Sequence, residues 1–221
     1  MSSFHRKVLL SISVLLLISF LPLVFVEKGY FVLWLNQNHT QFLDRFFVIT
    51  SEIGSGMLFV PLILILLLFS YRQAFFTTAG VIFHAAICSV AKNFIYSDAP
   101  RPRAFFDGIT QLTDVPGVSH HWQHAFPSGH TASAFVLAIT LLLIIRKEWA
   151  YVFLLPAILV GISRIYLAQH FYADVVGGAL VGSVSVLFAF VITSKFSWTG
   201  RWQYGLLLHR QSIGTAESEN L

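Results

Sequence analysis

Two short stretches of the sequence concentrate side chains that bind anions and transfer protons. Residues 127–130 read PSGH, and residues 163–174 read SRIYLAQHFYAD. Together they supply a hydroxyl, two imidazoles, a guanidinium and a carboxylate, namely Ser128, His130, His170, Arg164 and Asp174. Two further cations, Lys92 and Arg101, lie upstream of them. Three fixed cations with two histidines and one carboxylate indicate phosphoryl-transfer chemistry.

The cations and the PSGH backbone are suited to holding a phosphate group. A phosphate ester carries up to two negative charges, and its equatorial oxygens need donors in the transition state. Arginine offers forked donors that match these oxygens, and lysine adds a point charge. Backbone N–H groups at the start of a helix extend such a site, and a glycine lets the backbone approach closely. The expected phosphate-binding residues are Lys92, Arg101, Ser128, Gly129 and Arg164.

The two histidines suggest a nucleophile and a proton donor. His170 and Asp174 are four residues apart and share a face if this stretch is helical. A histidine can attack phosphorus when a carboxylate holds its other ring nitrogen, so His170 is the expected nucleophile and Asp174 its orienting group. His130 is the expected general acid for the departing oxygen. We predict no metal and no cofactor, because the cations already neutralise the charge.

The connection before PSGH adds further histidines with a less defined role. His120, His121 and His124, together with His130, resemble a zinc ligand set. Adjacent histidines in an extended strand point to opposite faces, and zinc usually takes three or four ligands, so a metal site is the less favoured interpretation. Contact between His124 and a substrate headgroup is the alternative.

Composition indicates a membrane protein of one domain, residues 1–221. Of the 221 residues, 56% are hydrophobic and 11% are charged, whereas soluble domains carry about 25% charged residues. The net charge of +4 includes no long run of lysine and arginine, which argues against nucleic-acid binding. The single cysteine, Cys88, excludes an internal disulfide.

Apolar segments predict an all-α, six-helix transmembrane bundle. A helix needs roughly 20 apolar residues to cross the hydrocarbon core of a bilayer. The candidate segments are residues 8–26, 56–70, 74–95, 130–146, 149–168 and 173–193. Phenylalanine spacing in residues 27–55 predicts a short helix in the interface. Residues 96–129 form the longest loop, and residues 195–221 are expected to be a cytoplasmic, partly disordered tail.

Basic residues predict the orientation of the bundle. With the N-terminus inside, the inner side carries Arg6, Lys7, Arg72, Arg146, Lys147, Lys195, Arg201 and Arg210. The outer side carries Lys28, Arg45, Lys92, Arg101, Arg103 and Arg164. Once the candidate site cations are set aside, the positive-inside rule favours a cytoplasmic N-terminus. Helices that alternate in direction then bring Lys92 with Arg101, the PSGH stretch and residues 163–174 to the same side of the membrane. This side is expected to be the outer, periplasmic membrane–water interface of a bacterial plasma membrane.

These motifs resemble those of the type 2 phosphatidate phosphatase superfamily, which includes bacterial acid phosphatases and vanadium haloperoxidases. Residues 127–130 and 163–174 match the second and third family motifs, and the resemblance covers about residues 56–193, with the core motifs in 92–174. The first motif departs from the family, since eight residues separate Lys92 from Arg101, more than is common. Arg103 is therefore a candidate substitute for Arg101.

The resemblance implies a metal-independent membrane phosphatase that forms a phosphohistidine on His170. Its substrate would be a lipid phosphate or diphosphate, such as undecaprenyl diphosphate, phosphatidylglycerol phosphate, phosphatidate or a lipid A phosphate. No obligate protein partner is predicted. A phosphotransferase that passes the phosphoryl group to a lipid or sugar hydroxyl is the first alternative, and a non-catalytic lipid carrier or transporter is the second.

Overall fold

The computed structural model describes residues 3–119, 121–199, 202 and 204–207, and all regular structure within these ranges is helical. The all-α prediction is therefore confirmed for the described chain. The α-helices are α1 (Ser3–Phe25), α2 (Tyr30–Gln37), α3 (Gln41–Ile53), α4 (Phe59–Phe69), α5 (Tyr71–Val90), α6 (Pro102–Phe106), α7 (Gly129–Ile145), α8 (Leu154–Tyr166) and α9 (Tyr172–Lys195). A π-helical turn, Ala91–Ile95, extends α5, and a 3₁₀ turn, Glu148–Phe153, precedes α8.

Within the described ranges, four helical stretches are long and apolar enough to cross a membrane. They are Ser3–Phe25, Tyr71–Ile95, Glu148–Tyr166 and Tyr172–Lys195. The other two predicted segments also contain apolar helices, but α4 has 11 residues and α7 has 17. The short helix α7 lies at the centre of the bundle, where neighbouring helices fully bury residues such as Val136 and Leu142.

Close contact between α7 and α9 forms the centre of the bundle. A Cβ atom on Gly178 would lie 2.4 Å from the carbonyl oxygen of Ser128, and one on Gly182 would lie 2.5 Å from that of Ala132. Both glycines therefore allow direct backbone contact, as small residues do where membrane helices meet. This contact sets the start of α7 against the first turns of α9.

Residues 27–55 form two helices where one was predicted. Thr40 separates them and caps α3, because its hydroxyl accepts the N–H of Leu43 at 3.2 Å. On α3, Phe42 is exposed but Phe47 is buried, with its ring centroid 4.5 Å from that of Tyr166 in α8. The helix therefore packs against the bundle as well as presenting an apolar outer face.

The long connection between α5 and α7 is held together by its own backbone. The N–H of Arg101 donates to the carbonyl of Trp122 at 2.8 Å, and the N–H of Ala125 donates to that of Ala99 at 3.2 Å. Proline at the first position of α6 is compatible with a helix start, where its missing N–H has no intrahelical partner. His120 lies outside the described residues, as does most of the predicted tail beyond residue 199.

Candidate active site

Lys92 lies in the π-helical turn that extends α5 toward the second motif. Single π turns inside helices occur frequently at functional sites. A Cβ atom on Gly129 would lie 3.9 Å from Nζ of Lys92, so the ammonium group lies beside the PSGH backbone. His124 supports this turn, since its Nδ1 lies 2.8 Å from the carbonyl oxygen of Lys92 and must donate to it. One nitrogen of His124 thus has a structural partner.

The second motif begins α7 and is tied to the third motif. Ser128 caps the helix, because its Oγ accepts the hydroxyl of Thr131 at 2.9 Å and the N–H of Thr131 at 3.4 Å. The N–H of Ser128 donates to the carbonyl oxygen of Asp174 at 2.9 Å. Gly129 and His130 follow as the first residues of the helix, where N–H groups have no intrahelical acceptor.

Arg101, rather than Arg103, is the arginine of this connection that enters the cluster. Its side chain is buried, with Nε 2.9 Å from the carbonyl of Gln123 and Nη1 3.3 Å from that of Gln169. Burial lowers the pKa of the Arg101 guanidinium, and the negative charge of Asp174 opposes that shift. Arg103 instead forms an ion pair with Asp114 and lines a separate surface recess of about 420 Å³.

Arg164 is buried in the last turn of α8, where α3 covers it. Its Nη1 donates to the hydroxyl of Ser51 at 2.5 Å. Its backbone carbonyl accepts N–H groups from Gln169 at 3.0 Å and His170 at 3.1 Å. The chain therefore turns back sharply after α8 and places His170 close to the arginine.

His170 and Asp174 meet without sharing a helical face. His170 precedes α9, whereas Asp174 lies in the first turn of that helix. Nδ1 of His170 is 3.4 Å from Oδ2 of Asp174, and the same oxygen accepts the N–H of Phe171 at 2.8 Å. Asp174 thus stabilises the helix start and lies within ion-pair distance of the imidazole, whose Nδ1 has no hydrogen-bond partner within the described residues. The two side chains meet through the turn before α9 and not through a helical spacing, and the orienting role of Asp174 stays a prediction.

The charges that act on the His170 ring come from residues of all three motifs. Burial lowers its pKa well below the usual value, and the positive charges of Arg101, Arg164 and Lys92 lower it further, followed by His130. The imidazole is therefore neutral at neutral pH, which is the form able to act as a nucleophile. All three motifs contribute to this one environment.

Within the described residues, no group of three or more His, Cys, Asp or Glu side chains is arranged to hold a metal ion. His121 and His124 belong to this part of the chain, but His120, the third loop histidine, lies outside it. The histidine-based zinc alternative therefore stays a question for experiment.

Comparison with known proteins gives the family. The model of the PAP2 superfamily matches residues 73–198, more than half of the chain. The chain belongs to the PAP2 superfamily. The predicted resemblance is thereby confirmed, and the four membrane-length helices agree with an integral membrane protein of this family.

Several named relatives share the matched region. BcrC, a bacitracin transport permease protein of Bacillus licheniformis, is 37% identical over 81 residues, which are 37% of this chain and 39% of that protein. Undecaprenyl-diphosphatase of Sulfolobus acidocaldarius is 29% identical over 150 residues, 67% and 70% of the two chains. Lipid A 4'-phosphatase of Bacteroides thetaiotaomicron is 34% identical over 95 residues, which are 42% of this chain and 41% of that protein. The match thus spans well under two thirds of BcrC and of the lipid A 4'-phosphatase.

Two solved structures share the fold. Aquifex aeolicus LpxE is 28% identical with a TM-score of 0.63, over 74% of this chain and 94% of that one. The PAP2 type phosphatidylglycerolphosphate phosphatase of Bacillus subtilis is 22% identical with a TM-score of 0.56, and the match covers 87% of this chain and 96% of that one. At this identity the similarity supports the fold alone. Phosphatases that act on lipid phosphates and diphosphates recur among the relatives, which confirms the predicted enzyme class at the level of the family.

Proposed function

We propose that this protein is a metal-independent membrane phosphatase that hydrolyses a lipid phosphate or diphosphate through a phosphohistidine on His170. The observation that carries the proposal is the environment of His170. A buried neutral imidazole lies against a carboxylate on one side and within the field of Lys92, Arg101 and Arg164. This combination supports a nucleophile beside a bound phosphate.

The reaction would proceed in two displacements at phosphorus. His130 would take up a proton as the anionic substrate binds. Nε2 of His170 attacks the phosphorus atom as the bond to the lipid oxygen breaks, and His130 gives that oxygen its proton. Water then attacks the phosphohistidine, His130 takes a proton from the water, and phosphate leaves. Asp174, whose Oδ2 lies 3.4 Å from Nδ1 of His170, would orient the imidazole throughout. Splitting one slow displacement into two is the general advantage of covalent catalysis.

The phosphate oxygens would be held by groups that the fold already fixes. Arg101 is oriented by the carbonyls of Gln123 and Gln169, and Arg164 by Ser51. Lys92 lies beside Gly129, whose N–H is at the start of α7, whereas the N–H of Ser128 already donates to the carbonyl of Asp174. Donors that need no rearrangement stabilise developing negative charge most effectively.

The proposed setting is a bundle that crosses the membrane six times, with α4 and α7 as its shorter spans. The N-terminus is then cytoplasmic, and the site faces the periplasmic headgroups of a bacterial plasma membrane. A groove of about 280 Å³ beside the site, lined by Lys28, Phe171 and Tyr172, offers an apolar approach from the bilayer. The names of the relatives support undecaprenyl diphosphate, lipid A phosphate and phosphatidylglycerol phosphate as candidate substrates.

A lipid panel with purified protein tests the proposal. We expect release of inorganic phosphate from at least one of these lipids or from phosphatidate, with the rate unchanged by excess EDTA. Transfer to an added lipid or sugar alcohol without free phosphate would instead identify a phosphotransferase. Loss of activity in EDTA that zinc restores would favour the histidine metal site, and absence of turnover on every lipid would favour the carrier interpretation.

A further inference from the structure

A cavity of about 340 Å³ opens at the end of the bundle opposite His170. It lies between the starts of α1 and α5 and the ends of α7 and α9. Its polar lining comes from all four helices and comprises His5, Ser70, Arg72, Gln73, Arg146 and Thr193. None of these side chains belongs to the catalytic cluster.

Two guanidinium groups of this cavity have no acidic partner among the residues that the structure describes. Arg72 and Arg146 are both exposed, and both line the same cavity as His5. Within the described part of the chain, neither guanidinium forms an ion pair, whereas nearby Lys7 pairs with Glu148 at 3.1 Å. Two arginines that converge on one cavity favour an anion with several oxygen acceptors.

A buried hydroxyl in the wall also has no hydrogen-bond partner in the described part of the chain. Thr193 is only 4% exposed, and its Oγ1 forms no hydrogen bond within the described residues. The backbone around it is fixed, because the indole N–H of Trp198 donates to the Thr193 carbonyl at 2.8 Å. A buried hydroxyl without a partner costs free energy, so its position in this wall indicates a ligand oxygen.

An apolar groove continues from the cavity along the membrane-spanning helices. This groove, of about 160 Å³, is lined by α1, α7 and α9, and it shares His5, Leu143 and Phe190 with the cavity. A free phosphate ion would fill only the cavity. A molecule with an anionic head and a hydrocarbon chain would fill both spaces.

We propose that the cavity and the groove together bind an anionic phospholipid that is not a substrate. Its headgroup phosphate lies between Arg72 and Arg146 and accepts the hydroxyl of Thr193, and one acyl chain lies along α1. Basic pockets between membrane helices recognise anionic headgroups in this way. The bound lipid would hold α1 to the bundle, since only 17% of the apolar stretch of that helix is buried.

Thermal unfolding of the full chain in detergent tests this site. Phosphatidylglycerol should raise the unfolding midpoint of the wild type by about 5 °C at saturating concentration, since a ligand stabilises the state that binds it. The double variant R72Q/R146Q should lose this shift. The matched control R6Q/K195Q, which removes two exposed charges from the same end but outside the cavity, should keep it.

Thr193→Val gives a second readout that does not depend on charge. Without lipid, its unfolding midpoint should equal or exceed that of the wild type, because an unpaired buried hydroxyl is removed. With phosphatidylglycerol, its shift should be smaller than that of the wild type. Equal lipid shifts in all four proteins would overturn the proposal, as would equal shifts with phosphatidylcholine or with inorganic phosphate alone.

Discussion

The two ends of this helical bundle use arginine in opposite ways. At the catalytic end, Arg101 and Arg164 are buried, and each is held by hydrogen bonds to the protein. At the other end, Arg72 and Arg146 are exposed, and within the described residues no acidic side chain pairs with them. Under the two proposals above, buried arginines fixed by hydrogen bonds would stabilise a transition state, and exposed arginines without an acidic partner among the described residues would bind a lipid headgroup.

The two ends also differ in how closely the backbone is packed. Near the candidate site, Gly178 brings α9 against the carbonyl of Ser128, and Gly54 brings the end of α3 to the carbonyl of His130. Toward the other end, α1, α7 and α9 line the polar cavity and the apolar groove, although Val8 and Ile12 of α1 are buried in the core. Rigid packing would support the proposed catalytic geometry, and the open space would hold the proposed lipid.

The largest expected effect is the loss of the nucleophile. His170→Ala should reduce phosphate release by at least about 10⁴-fold, because it removes the ring on which the proposed covalent intermediate forms. Phosphate release and size-exclusion elution, measured on the same preparation, separate catalysis from folding. Lys195→Gln, an exposed change at the opposite end, serves as the control and should retain full activity. Turnover that survives in His170→Ala would contradict the assignment.

Next in size is the contrast between two neighbouring arginines. Arg101→Gln should lower kcat/KM by about 10²- to 10³-fold, the usual cost of one donor to a transition-state oxyanion. Arg103→Gln should lower it by less than about tenfold, because Arg103 pairs with Asp114 outside the cluster. Steady-state kinetics on the preferred lipid would check both. The reverse order would show that Arg103 replaces Arg101 in the first motif.

A smaller effect is expected from crowding α7 against α9. Gly178→Ala should cost about 1–3 kcal/mol of unfolding free energy and should reduce activity, because its Cβ would meet the Ser128 carbonyl at 2.4 Å. Gly80→Ala is the matched control, since its Cβ would lie 3.4 Å from Cγ1 of Val136, which is an ordinary van der Waals distance. Unfolding midpoints and rates of both variants test this, and equal stability would argue against a tight contact at Gly178.

The smallest effect concerns pH and the buried imidazole. The folded pKa of His170 lies well below its unfolded value of about 6.5, so the unfolded chain binds the additional proton as pH falls. The contribution of His170 to stability is therefore complete above pH 6.5 and is lost below it, at up to about 1.4 kcal/mol per pH unit. His170→Gln should flatten the pH dependence of the unfolding midpoint between pH 7.5 and 5.

The motif residues were predictable from the sequence because each motif is local. PSGH starts a helix by its own chemistry, and Asp174 caps the helix that follows His170. Ser51 and Gln169 were missed as partners of the arginines, because their roles depend on contacts across α3, α8 and the long connection. A serine on an amphipathic helix gives no local signal of a guanidinium more than a hundred residues away.

The positions of the long helices were predictable from the sequence, but some details of the fold were not. Apolar length located a helix in each of the six segments, since burial in lipid demands long hydrophobic runs. It did not separate α2 from α3, although Thr40 offered a capping signal between them. The predicted segment 130–146 has the 17-residue length of α7, but the sequence did not show that this helix is surrounded by protein, because the hydropathy of a helix does not distinguish lipid from neighbouring helices.

The most direct test of the central claim is to trap the covalent intermediate. A lipid substrate labelled with ³²P in its terminal phosphate is mixed with the purified protein and quenched in alkali within milliseconds, which preserves phosphohistidine. We expect label on the peptide that contains His170 and none in His170→Ala. Rapid turnover with no label on that peptide, or label that persists in His170→Ala, would contradict the account.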